Sequence, residues 1–175
     1  MERARHQGQR WKILLEGTME LAKLIAAATL AISPVASQAE TLTARTFSSI
    51  EGFFLNEGAE VEVLEDNVGD PQLEVDYYGS EFTVFYYGCD NGTDCDSIQF
   101  YSGYAMGGSV RLKTLNTYNA EKRWVRAYVA EDGAVKLEMD VFLGKDGVSA
   151  DDFATVVSLW SRHMADFEGV IGFEN

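Results

Sequence analysis

The sequence is poor in positive charge: 14 Lys and Arg stand against 28 Asp and Glu, for a net charge of −14. The first 39 residues hold five of the basic and three of the acidic side chains, so the remainder carries nine against 25. A phosphate backbone is bound through a basic footprint, so nucleic acid is excluded as a partner and an anionic membrane surface is equally unfavourable. An acidic surface of this kind serves solubility or attracts a cationic partner. Histidine is also scarce, with two in the chain and one, His163, in the part that reads as a folded domain. Zinc bound by the two cysteines needs two further ligands that this supply does not offer nearby. No apolar run approaches the roughly 20 residues that span a bilayer. G-x-S-x-G, H-E-x-x-H and a glycine-rich phosphate loop are all missing, and "GYAMGG" at 103–108 is too loose to stand for the last.

The N-terminal region is read as an address. Lys23 precedes the nine-residue apolar run "LIAAATLAI", and Ser37 and Ala39 take the small-residue positions of a cleavage site before Glu40. Residues 1–39 are expected to be a signal-peptide region, with Met19 a second candidate start because the first 17 residues are long and basic for such a segment. Residues 40–175 are then one exported, periplasmic domain, long enough to bury a core and without a stable membrane anchor.

That destination bears on the only two cysteines, Cys89 and Cys95, in "YYGCDNGTDCDSIQFY". Cysteines pair in an oxidising compartment. The segments on either side are rich in aromatic and β-branched residues, so the two are expected to close the loop of a hairpin. The spacing is not Cys-x-x-Cys, which argues against a redox motif. Closing about seven residues gives about 2 kcal/mol from chain entropy. Asp90, Asp94 and Asp96 keep a calcium reading open, although the EF-hand spacing is absent.

Along the rest of the chain, Phe47, Ile50 and Phe54 recur at helical spacing and Gly58 follows as a stop signal. "EVEVLE" and "QLEVDYY" alternate apolar with acidic residues, the pattern of strands with one dry and one wet face. In "EFTVFYY", Phe82, Val84 and Tyr86 share a face opposite Phe85 and Tyr87, with Tyr78 and Tyr101 assigned to the second set. Leu112, Leu115 and Tyr118 predict a short helix. "RWVRAYVA" and "AVKLEMDVFLG" flank the turn signal "EDG"; Val135, Leu137, Met139 and Val141 point away from Lys136, Glu138 and Asp140. A last helix starts at the capping residue Ser149 with Asp151 and Asp152 at its positive end. Its buried stripe is Phe153, Val156, Val157, Trp160, Met164 and Phe167. The expected fold is α+β: an antiparallel sheet of about five strands with helices on one face, in the order helix, strands, helix, two strands, helix.

The segment from Leu115 to Phe167 resembles the YbjN family of bacterial proteins, described as sensory transduction regulators. The resemblance rests on Asn116, Tyr118 and Asn119, on Arg123 followed by Trp124, and on a strand pair leading through "GVS" into the last helix. It implies a fold similar to type III secretion chaperones and brings no catalytic residue set with it. The signal peptide and the cysteine pair depart from the cytoplasmic members' pattern.

These readings favour a non-catalytic binding, accessory or regulatory domain acting on a protein or peptide, with no cofactor and no metal ligands assigned. Tyr78, Phe85, Tyr87, Tyr101, Asn116 and Asn119 are the candidate partner-binding residues. Aromatics on both faces of a sheet exceed what one layer of helices can cover. The second set is closed over by the first helix, by a second subunit in a homodimer, or by another partner. The competing classes are a small-ligand or calcium-binding sensor and a carboxylate hydrolase using Glu138 and Asp140.

Overall fold

A computed structural model describes residues 41–173; the expected export segment and the expected cleavage site before Glu40 lie outside the described residues. The elements in chain order are β1 (Thr41–Leu42), α1 (Phe47–Asn56), β2 (Glu60–Glu65), β3 (Pro71–Tyr77), β4 (Ser80–Tyr87), β5 (Ser97–Tyr104), α2 (Leu112–Glu121), β6 (Arg126–Val129), β7 (Val135–Phe142), β8 (Val148–Ser149) and α3 (Ala150–Ile171). Six strands form one antiparallel sheet in the order β2-β3-β4-β5-β7-β6. The expected α+β class holds, but the sheet has six strands rather than about five. A second sheet, the pair β1-β8, joins Thr41 to Ser149 and Leu42 to Val148. Two-residue strands are too short to show a period of two. A side chain on Gly147 would collide with the Leu42 carbonyl, so this clasp requires glycine there.

The alternation within each strand sets the layers. Phe82, Val84 and Tyr86 of β4, Ile98, Phe100 and Tyr104 of β5, and Val135, Leu137 and Met139 of β7 are buried toward the helices. The stripe of α3 meets them. Ser149 Oγ accepts a hydrogen bond from Asp152 N (3.1 Å) and starts the helix, and Gly172 ends it in the left-handed conformation. Trp160 is fully buried, stacked on Phe100 at 5.6 Å and edge-on to Phe82 at 6.1 Å. Ile50, Phe53 and Phe54 of α1 complete this core, with Phe53 edge-on to Phe153 at 4.9 Å. Buried phenols need partners: Tyr86 Oη donates to Phe47 O (3.2 Å) and Tyr118 Oη to His163 O (3.2 Å).

Cys89 and Cys95 are joined by a disulfide across the β4–β5 loop. The loop narrows at a bridge between Asp90 and Thr93, around Asn91 and Gly92, both with positive φ. A Cβ on Gly92 would stand 2.9 Å from the Gly69 carbonyl, so glycine lets this loop lie against the β2–β3 turn. Arg45 pairs with Asp94, and Asp94 N donates to Arg45 O, so the same loop is also tied to the segment before α1.

Candidate functional site: the open face of the sheet

The helices cover one face of the six-stranded sheet. The other face is built from the alternate residues of each strand, and the register lines them up in rows. One row runs Gln72, Phe85, Gln99, Asp140; the next runs Glu74, Thr83, Tyr101, Glu138, Arg126. Phe85 and Tyr101 are diagonal neighbours on β4 and β5, and their rings meet edge-on at 5.4 Å. Lys136 Nζ sits over the Tyr101 ring at 5.0 Å, a cation–π contact. It reaches there because β5 places Gly103 beside it: a Cβ at Gly103 would stand 3.1 Å from Lys136 Nζ and 3.2 Å from the Tyr101 hydroxyl. A depression of about 430 Å³ lies along this part of the face, with Glu74, Thr83, Tyr101 and Lys136 in its wall.

A hydrogen-bonded network joins β4, β5, β7 and β6. Arg126 Nε donates to Glu138 Oε2 at 2.6 Å, and Arg126 Nη1 lies 3.2 Å from Asp140 Oδ2. Tyr128 Oη donates to Glu138 Oε1 at 2.6 Å. Gln99 Nε2 donates to Asp140 Oδ1 at 2.7 Å, and Tyr87 Oη to Gln99 Oε1 at 3.4 Å. Glu138 is 5% exposed although it stands on the wet face of its strand. A carboxylate so enclosed is tolerated because its two oxygens are both bound by donors. The hydrogen bond to Glu138 pushes the Tyr128 phenol up to about 12, and the same carboxylate raises the Arg126 guanidinium. Burial first, and then the charges of Glu138 and Asp140, raise Tyr87. At neutral pH the phenols of the network therefore stay protonated and its guanidinium stays charged. Glu138 and Asp140, the pair considered for hydrolysis, share one arginine.

The structure brings together three of the six residues singled out for partner binding. Phe85, Tyr87 and Tyr101 lie on the open face as the alternation requires. Tyr78 does not join them: with Gly79 it forms the two-residue turn between β3 and β4, both at positive φ, and it is 85% exposed. Asn116 is exposed on α2. Asn119 turns to the sheet edge, where Oδ1 accepts from Ala127 N (2.8 Å) and Nδ2 donates to Ala127 O (2.9 Å). Sequence reasoning set Lys136 with Glu138 and Asp140 on the wet side of its strand but did not assign Gln99, Arg126 and Tyr128 to the face; once the β5–β7 and β6–β7 registers are known, the period-2 positions identify them. Phe142, 76% exposed, ends the same face on β7. Trp124, 66% exposed, has φ +76° in the turn before β6 and carries the Arg123 guanidinium over its ring at 5.4 Å.

His163 is 9% exposed, and neither ring nitrogen has a hydrogen-bond partner. Burial, together with the nearby Lys122 and Arg162 charges, lowers its pKa against the opposing pull of Asp166. Among the described residues, no three His, Cys, Asp or Glu side chains are grouped to hold a metal, and no helix is long and apolar enough to cross a membrane.

Together these features define an acidic α+β domain with one helix-covered face and one face of ordered polar groups and aromatic rings. Residues 46–173 match the family named YbjN, whose description reads "Putative bacterial sensory transduction regulator". The chain belongs to the YbjN family. No curated protein matches the chain closely enough to add to this.

Proposed function

We propose that this chain is an exported, non-catalytic accessory or regulatory domain that acts by holding a protein or peptide on the open face of its sheet. The observation that carries the reading is the composition of that face. Phe85, Tyr87, Tyr101, Tyr128 and Phe142 present rings around a network already locked by hydrogen bonds. Aromatic side chains with few rotatable bonds, next to polar groups fixed before binding, are what an interface centre uses. Preorganisation lowers the entropy lost on association.

The test is capture from periplasmic extract on the domain 40–175, followed by cross-linking of the recovered complex. A partner cross-linked to β4, β5 or β7 on the open face, and lost with Tyr87→Ser and Phe142→Ser together, is the expected result. Both substituted side chains are exposed, so the fold tolerates the changes. Cross-links confined to the α3 surface would refute the assignment of the face. A domain that is dimeric by sedimentation, with this face buried between copies, would replace the partner with a second subunit. Export is checked separately: intact mass of the periplasmic protein should correspond to a chain beginning at Glu40.

A further inference from the structure

We infer that the outer edge of β2 is a second binding surface, and that it accepts an extended segment of alternating basic and apolar residues as a seventh strand. The argument begins with the two ends of the sheet. At one end, β6 presents Ala127 outward, and the Asn119 amide takes both its N–H and its C=O as a neighbouring strand would. At the other end, β2 pairs with β3 without interruption from Glu60↔Asp76 to Glu65↔Pro71. Among the described residues nothing pairs with its other side. An unpaired edge is a template for another strand, and proteins guard it with a bulge, a proline, a very short strand, a cover or charge. β2 has six residues, no bulge and no proline. Its protection is its own carboxylates.

Charge selects what can dock. Glu60 and Glu62 stand on the open face of β2 opposite Asp76 and Glu74 of β3, with Glu81 of β4 beside Asp76. Among the described residues no Lys or Arg pairs with any of the five. A second copy of β2 laid along this edge would bring glutamates against glutamates, and like charges across a ladder are destabilising. A strand with Lys or Arg at alternate positions would set them beside Glu60 and Glu62. The intervening residues would fall on the helix side, next to Val61 and the half-exposed Val63. Main-chain hydrogen bonds supply affinity in such strand addition and the alternate side chains supply selectivity. This surface is distinct from the aromatic part of the open face, so the two assignments stand or fall separately.

The experiment uses the domain 40–175 and the synthetic peptide Ac-GKVKVKVG-NH2, followed by NMR of backbone amides and by fluorescence anisotropy of a labelled copy. Binding should shift and protect β2 amides, weaken about tenfold or more with added salt, and vanish when alternate peptide nitrogens on the pairing edge are methylated. Glu60→Lys with Glu62→Lys should abolish binding of this peptide and confer binding of Ac-GEVEVEVG-NH2. Equal binding of a block peptide of the same composition, or retention by the methylated peptide, would reduce the effect to charge alone and overturn strand addition. Shifts confined to Phe85, Tyr101 and their neighbours would move the peptide to the open face and overturn the edge site. So would an absence of binding at low salt. Concentration-dependent dimerisation through β2 would make a second copy the occupant and refute the charge argument.

Discussion

Replacing Asn119 tests how the sheet is finished at β6. The side chain makes two hydrogen bonds to one residue, at 2.8 and 2.9 Å, and Ala127 is 5% exposed. A net hydrogen bond contributes about 1 kcal/mol, and a buried backbone group left without a partner costs about 1–3 kcal/mol. Asn119→Ala removes both bonds. Water reaching the edge from the exposed side of α2 would hold the loss near 2 kcal/mol; a dry edge would raise it to about 4 kcal/mol. With a urea m-value of about 2 kcal/mol/M, the lower figure moves the midpoint by about 1 M. Asn119→Asp separates the two bonds. The introduced carboxylate can still accept from Ala127 N but cannot donate to Ala127 O, and it sets a negative charge against that carbonyl. It should destabilise at least as much as alanine at pH 7 and recover part of the loss in acid, where the protonated carboxyl donates again. The assay is urea unfolding followed by the fluorescence of buried Trp160, together with hydrogen exchange of the Ala127 amide, which should accelerate in both variants. An Asn119→Asp midpoint equal to wild type, or unchanged protection at Ala127, would refute the reasoning.

Two further outcomes are expected. Cys89→Ala with Cys95→Ala should cost about 2 kcal/mol, the chain entropy of a loop of about seven residues, and thiol titration of the wild-type protein should find no reactive cysteine before a reductant is added. His163 has a lowered pKa in the folded state, so the unfolded chain binds its proton first; stability should be complete above about pH 6.5 and decline as the pH falls below it, while His163→Leu should flatten urea midpoints between pH 7 and 5, and identical slopes in both proteins would show that His163 does not titrate differently on unfolding.

What the sequence makes legible follows from range. The α3 boundaries are local: a serine that can accept from the backbone three residues on, two aspartates at the positive end and a glycine that can turn left-handed. The faces of β4 and β7 are local as well, because a period of two assigns every side chain to one side. Neighbours across a sheet are not local. β6 and β7 are joined by a tight turn, but it is β7 that lies against β5, and β6 that forms the edge. Alternation is silent on that choice, and it decides which side chains share the open face. Glu138 shows the consequence: by pattern it is a wet carboxylate, and it becomes enclosed because Arg126 and Tyr128 reach it from the adjacent strand. Tyr78 shows the converse. Its aromatic neighbours suggest a strand, but a strand must end before its hairpin turn, and Tyr78 with Gly79 is that turn.

The same face explains why the sheet keeps so costly a group as a buried carboxylate. An ion pair of this kind adds little net stability, since removing charge from water offsets most of the attraction, and well-packed apolar side chains of similar size often do as well. An apolar filling would, however, leave Phe85, Tyr101, Tyr128 and Phe142 as parts of one continuous greasy surface. Large patches of that kind associate without selectivity. Interleaving Gln99, Glu138, Asp140 and Arg126 breaks the surface into rings separated by groups whose hydrogen bonds have fixed directions. A partner must then satisfy those directions as well as cover the rings, or leave desolvated polar groups unpaired. If the face binds as proposed, the network is better understood as a source of selectivity than of stability, a separation of roles that a binding face, unlike a core, requires.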